Sequence, residues 1–245
     1  MSTVIAFGAA SGICAAVLKS LAAQGDRFLL VGRTLEKLQA LEAELVRRGA
    51  AVAEVLACDL SDPGSYDRVL GVVDERFSDF DTAIVAWGML PDQRTTEVDR
   101  RALVDCIQTN FTAQVAFLNA AALRLEKLGR GRLVAIGSVA GDRGRQSNYA
   151  YGSCKAALES FCSGLSNRLH KAGVSLLFVK PGFVDTPMTA GFTKNFLFAK
   201  PENVAKDIVA AMSRGSRTMY TPRFWCLIML IIRLIPGPVF RRMKL

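Results

Sequence analysis

Short runs of continuous apolar residues alternate along the chain with longer segments whose apolar positions recur every three or four residues. "TVIAFG" (3–8) carries no charge and reads as a strand buried on both faces; "ICAAVLKSLAAQG" (13–25) reads as a helix closed by Gly25. The alternation repeats. "RFLLVG" (27–32), "AVAEVLACD" (51–59), "TAIVAWG" (82–88), "GRLVAIGS" (131–138) and "VSLLFVKPG" (174–182) are further strands, and "RTMYTP" (217–222) is a last one. Between them the spacing predicts helices over 34–49, with Thr34 as N-cap and Gly49 as stop, over 65–77, across a long region around 96–128, over 149–172 and over 201–215. Strands without polar alternation, each followed by a helix, form a parallel sheet covered on both faces. The expected architecture is a single doubly wound α/β domain with a mostly parallel seven-stranded sheet, residues 1–221, followed by an apolar and basic helical tail, residues 222–245.

Composition narrows the function classes. The chain has 245 residues and a formal net charge of +9, a balance that suits an anionic ligand, an anionic membrane surface or nucleic acid. Nucleic acid is set aside, because the positive residues gather near the tail without an interleaved aromatic stacking surface. Six scattered cysteines and a single histidine, His170, hold no C-x-x-C pair, so no metal site is expected. The cysteines sit in apolar strand or helix contexts and read as buried free thiols of a reducing cytosol. "MSTVIAFGAA" runs straight into the first strand and does not resemble a secretory signal.

The chemistry lies at the ends of the strands. "AFGAASGIC" joins the first strand to the first helix: Gly8 allows a tight turn, and Gly12 removes a side chain where a pyrophosphate meets the helix N-terminus. After the second strand stands Arg33, where a carboxylate would serve a ribose 2′-hydroxyl; a guanidinium instead attracts a 2′-phosphate. Tyr151 and Lys155 are one helical turn apart on one face. A tyrosine of pKa about 10 is a reluctant proton carrier at neutral pH, and a nearby ammonium favours its phenolate.

These motifs resemble the short-chain dehydrogenase/reductase family over nearly the whole chain. The family's T-G-x-x-x-G-x-G keeps Gly8 and Gly12 here, with Phe7 for the threonine and Cys14 for the third glycine. Its Ser and Tyr-x-x-x-Lys set matches Ser138, Tyr151 and Lys155, and its helix asparagine matches Asn110 in "CIQTNFTAQ". The resemblance implies a Rossmann fold and hydride transfer between a nicotinamide cofactor and a carbonyl or secondary alcohol. Ser138 would donate to the carbonyl oxygen and Tyr151 would carry the proton. Lys155 would lower the tyrosine pKa and bind the nicotinamide ribose, and Asn110 would hold a water leading to Lys155. It also implies cofactor contacts from Gly8, Ser11, Gly12, Ile13, Arg33, Asp59, Leu60, Gly88, Pro181, Gly182, Val184 and Thr186, with NADP(H) preferred through Arg33 and NAD(H) still open. Family members are commonly dimers or tetramers. The family's N-N-A-G is replaced by Val85, Ala86, Trp87 and Gly88, and Trp87 either walls the substrate cleft or packs beneath a loop.

The segment 187–200 reads as a substrate lid. The tail "FWCLIMLIIRLIPGPVFRRMKL" is too short in its apolar run to span a bilayer. It packs on the body, joins subunits, or lies in a membrane interface with Trp225, Arg233 and the cluster Arg241, Arg242 and Lys244 at headgroup depth. The tail, the "AWGMLPDQ" loop and "RGRQSNYAYGSCKAAL" resemble a branch of the family, the decaprenylphosphoryl 2-keto-ribose reductases. That likeness implies a lipid-linked keto-sugar substrate and a cytoplasmic protein peripheral on the inner face of the plasma membrane. A soluble ketone substrate and a non-catalytic dinucleotide-binding scaffold are the alternatives.

Overall fold

A computed structural model of the chain describes residues 2–22, 25–215 and 217–243; the end of the first predicted helix, at 23–24, and Lys244 lie outside the described residues. Strands β1 (Thr3–Phe7), β2 (Arg27–Gly32), β3 (Val52–Ala57), β4 (Thr82–Val85), β5 (Gly131–Ile136), β6 (Val174–Pro181) and β7 (Thr218–Thr221) form one sheet in the order β3-β2-β1-β4-β5-β6-β7. Every pairing is parallel. The largely apolar strands account for this, since they offer apolar side chains to both faces. Val4 and Ala6 of β1 face one core with α1 (Gly12–Leu21), α2 (Leu35–Arg47) and α8 (Pro201–Ser213). Ile5 and Phe7 face the other with α3 (Tyr66–Arg76), α6 (Ala113–Leu128) and α7 (Tyr149–His170).

The chain reverses its direction of winding between β1 and β4, so the loops after these strands diverge and leave a crevice at their carboxyl ends. Thr34 stands at the N-cap of α2 as expected, although its side chain makes no capping bond. Two local expectations are corrected. β4 stops at Val85, three residues short of Gly88, so Trp87 belongs to a loop. The long helical region is broken into α4 (Gln93–Val98), α5 (Arg100–Ile107), a wide π turn over Gln108–Thr112, and α6. Asp92 and Asp99 cap the two short helices with their side chains, which accounts for the interruption.

The tail folds as α9 (Phe224–Leu234) and the single turn α10 (Gly237–Phe240). Trp225 and Met229 are buried against Val139, Phe183 and Tyr220. The opposite side exposes Leu227, Leu230, Ile231 and Leu234. Five cysteines are buried as expected, but Cys226 is exposed because α9 turns that side outward.

Candidate active site

Ser138 follows the end of β5 and starts a single turn, Val139–Gly141; its Oγ accepts the Ala140 N–H at 3.1 Å. Tyr151 and Lys155 lie in the first turns of α7. All three line a cleft of about 550 Å³ at the carboxyl ends of the strands. Lys155 is only 2% exposed. Its Nζ donates to the Ile136 carbonyl at 3.2 Å and to Gln114 Oε1 at 3.5 Å, and lies 5.7 Å from the centre of the Tyr151 ring. Burial lowers the lysine to about 8, and the neighbouring thiols Cys154, Cys162 and Cys106 oppose that shift.

The Tyr151 phenol is not lowered as the sequence suggested. Burial pushes it up to about 12, against a hydrogen bond with Ser138 that acts in the other direction. The reason is local: the Lys155 ammonium is turned to a carbonyl and an amide oxygen, and burial weakens its own charged form.

Asn110 is the one predicted catalytic residue that does not line the cleft. It is fully buried in the π turn. Its Nδ2 donates to the Cys106 carbonyl at 3.0 Å, a carbonyl that a regular helix would give to the Asn110 backbone N–H. Its Oδ1 accepts the Met89 N–H at 3.0 Å, directly under Gly88. The side chain is thus fully engaged in bracing the loop after β4. Gln114 was missed by sequence reasoning. This fully buried amide joins Lys155 to the Trp87 carbonyl, to which Nε2 donates at 2.6 Å. Its signal was one amide on the inner face of an apolar helix. Cys106 and Cys154 meet behind Asn110. Cys154 Sγ donates to the Ala150 carbonyl at 3.2 Å, and the interaction between the two thiols draws Cys106 down and pushes Cys154 up.

Every predicted cofactor residue lines the cleft. Gly8 has φ +85°, and a Cβ there would meet Trp87 at 2.8 Å. Ser11 caps α1, its Oγ accepting the Cys14 N–H at 3.4 Å. At Gly12 a Cβ would meet the Thr186 methyl at 2.7 Å, so the missing side chain lets Thr186 approach the start of α1. Trp87 lines the cleft and packs edge-on against Phe117 of α6, with centroids 5.7 Å apart. Val184 is buried, and its carbonyl is taken by Thr189 Oγ1 at 2.6 Å. At the far end, exposed Arg33 and Lys37 stand over Asp59. Burial of Asp59, which alone would raise it, is overcome by bonds from Ser61 and by the charge of Arg33, leaving the carboxyl below its usual range.

Beyond Ser138, the loop 142–145 is held from two sides. Asp142 pairs with buried Lys180 of β6 and accepts the Tyr220 hydroxyl at 2.8 Å, while Lys180 also meets Glu159 at 2.8 Å. Arg143 and Arg145 reach to the tail. A Cβ on Gly182 would overlap the Trp225 indole, so the tail also touches the cleft's floor.

The family profile of short chain dehydrogenases matches residues 2–196. The chain belongs to the short-chain dehydrogenase family. An uncharacterized oxidoreductase of Mycobacterium tuberculosis is 37% identical over 242 residues, which cover 98% of this chain and 96% of the relative. One from Streptomyces coelicolor is 34% identical over 242 residues, covering 98% and 95%. Among solved structures, a short-chain dehydrogenase from Sphingobium yanoikuyae in complex with NADPH superposes with a TM-score of 0.84 at 24% identity, covering 97% of each chain. A variant of the actinorhodin polyketide ketoreductase with NADPH gives 0.80 at 21%, covering 90% and 95%. As a short-chain dehydrogenase, the chain is an oxidoreductase of the type that works with a nicotinamide dinucleotide. The cleft fits such a group: a glycine loop opens a capped helix at one end of it, and two cations stand at the other end.

Proposed function

We propose that the chain is an NADPH-dependent carbonyl reductase whose substrate is anchored in a lipid surface, with a polyprenyl-linked keto-sugar as the leading class. The observation that carries the reaction is that Ser138, Tyr151 and Lys155 share one cleft with the glycine loop and with Arg33. When bound, the nicotinamide supplies the hydride. Gly8, Ser11, Gly12, Ile13 and Thr186 hold the pyrophosphate against the first turn of α1. Arg33 and Lys37 hold the 2′-phosphate, with Asp59 and Leu60 beside the adenine. Gly88, Pro181, Gly182 and Val184 bed the nicotinamide. Tyr151, protonated at neutral pH by its raised pKa, gives its proton to the carbonyl oxygen, to which the Ser138 hydroxyl also donates. Lys155, titrating near 8, binds the ribose and restores that proton. Asn110 acts by bracing the loop under Gly88.

Support for a lipid-borne substrate comes from the two sides of α9. The inner side packs at Gly182, while the outer side presents Leu227, Leu230, Ile231 and Leu234. Arg223, Arg233, Arg241 and Arg242 accompany it, and no acid follows Asp207. This charge complements anionic headgroups and makes contact with the cytoplasmic face of a membrane the reading we adopt. The lid segment 187–200 adds Phe196, 89% exposed. The test is NADPH oxidation with a long-chain ketone presented in anionic vesicles and the same ketone in detergent, for the wild type and Tyr151→Phe. Turnover that is faster on vesicles and lost in the variant is expected. Full activity in Tyr151→Phe would overturn the catalytic assignment, and equal rates in both presentations would favour a soluble substrate.

A further inference from the structure

The turn that carries Ser138 is tied to a distant segment of the chain. The Arg143 guanidinium donates to the carbonyl of Ile232, to that of Ile235 at 2.7 Å and to that of Arg233 at 3.3 Å. These are carbonyls of the last turn and C-cap of α9, which have no partner inside the helix and carry its negative dipole end. The same guanidinium lies 3.7 Å from the centre of the Phe240 ring of α10. Two residues on, Arg145 contacts Met229 Sδ at 3.2 Å, and Val139, next to Ser138, packs on Trp225 and Met229. The inner side of α9 is therefore the outer wall of the serine turn. One residue before Arg143, Asp142 fastens the same loop to β6 and β7.

We infer that Arg143 is a positioning residue for the reaction: by clamping the C-terminal end of α9 and the Phe240 ring, it sets the loop that places the Ser138 hydroxyl against the carbonyl. The inference rests on the reading of Ser138 and Tyr151 as the groups that receive the carbonyl oxygen. It makes the tail a part of the catalytic apparatus as well as a surface for lipid. The guanidinium suits this role because one of its nitrogens, Nη1, reaches the three carbonyls while its planar face covers an aromatic ring. A lysine has N–H donors for the carbonyls but no planar face for the ring.

The experiment compares the full-length wild type with Arg143→Ala, Arg143→Lys and Phe240→Ala. Three quantities are read: amide hydrogen exchange over residues 138–145, the Kd for NADPH from nicotinamide fluorescence, and kcat for 9,10-phenanthrenequinone at saturating NADPH. In Arg143→Ala, exchange over 138–145 rises about tenfold and kcat falls about tenfold, while the NADPH Kd stays within about twofold. Added guanidinium recovers part of the lost kcat, Arg143→Lys recovers part of it, and Phe240→Ala shows the same pattern in smaller degree. Exchange that rises only in 224–240 would mean that Asp142 alone holds the serine turn, and would overturn the inference. A fall in NADPH affinity equal to the fall in kcat would do so too, by showing general loosening. If Arg143→Ala does not fold, Arg143→Lys and Phe240→Ala decide the matter by the same readouts. If wild type and Tyr151→Phe reduce the quinone equally, the catalytic reading fails; if neither reduces it, the vesicle-borne ketone replaces the quinone, and in both cases the exchange and NADPH data still decide whether Arg143 sets the loop.

Discussion

Leu227 and Leu234 project from the outer side of α9 with 62% and 72% of their surface in water. If that side meets a bilayer, both side chains leave water on binding. Full burial of a leucine contributes about 2 kcal/mol, so the exposed fractions leave about 1.3 kcal/mol to be gained at each position. The double substitution Leu227→Ser, Leu234→Ser therefore weakens membrane partitioning by about 2.6 kcal/mol, or roughly eightyfold. Folding stability changes by less than about 0.5 kcal/mol per site, because neither side chain is packed in the core. The assay is co-flotation with phosphatidylcholine vesicles, with and without phosphatidylglycerol, at low and high salt. The apolar term persists at high salt; the contribution of Arg241 and Arg242, about 1 kcal/mol each near an anionic surface, does not. A double variant that floats like the wild type would refute the reasoning, as would a wild type that floats under no condition.

Three further outcomes follow from the geometry. Trp225→Ala, which empties a site only 4% exposed against Gly182, should lower unfolding free energy by about 3–5 kcal/mol in urea titration; a loss under about 1 kcal/mol would show that α9 is not packed as described. Arg33→Glu should weaken NADPH at least about tenfold and leave NADH within about threefold, read from cofactor fluorescence; an unchanged NADPH Kd would remove Arg33 from the 2′-phosphate site. Lys155 is lowered from 10.5 to about 8 by burial, with Cys154, Cys162 and Cys106 beside it. Between those two values the unfolded chain holds a proton that the folded chain has released, so stability rises with pH across that window. The full gain is about 3 kcal/mol, absent below the folded value and complete above the unfolded one. The stability difference between wild type and Lys155→Met should therefore grow in favour of the wild type as pH rises through that window; a flat difference would contradict it.

The sheet was legible because a largely apolar strand followed by an amphipathic helix admits few arrangements, and the motif residues fall at strand ends in chain order. That Tyr151 and Lys155 share one helix face could be read from their spacing, and their conjunction with the glycine loop, Asn110 and Ser138 singled them out. What the sequence concealed depends on contacts between distant segments. Gln114 looks like any helix amide until β4 and α7 are brought together around it. The lowered phenol was expected from Lys155 as a charge, and which oxygens would hold that ammonium is a matter of packing. Asn110 kept its place in the chain, but the π turn directs its amide into the protein. The tail's two sides were latent in its pattern, while the partner of the inner side, a loop at 139–145, had no local signal at all.

The clamp on α9 has a consequence for how the protein assembles. The seven strands form one sheet without residues 224–240, so the sheet can close while the wall outside Ser138 is still missing. Such an intermediate has a cofactor crevice and an unfinished substrate side, with the apolar surface of Val139 and Phe183 open to other chains.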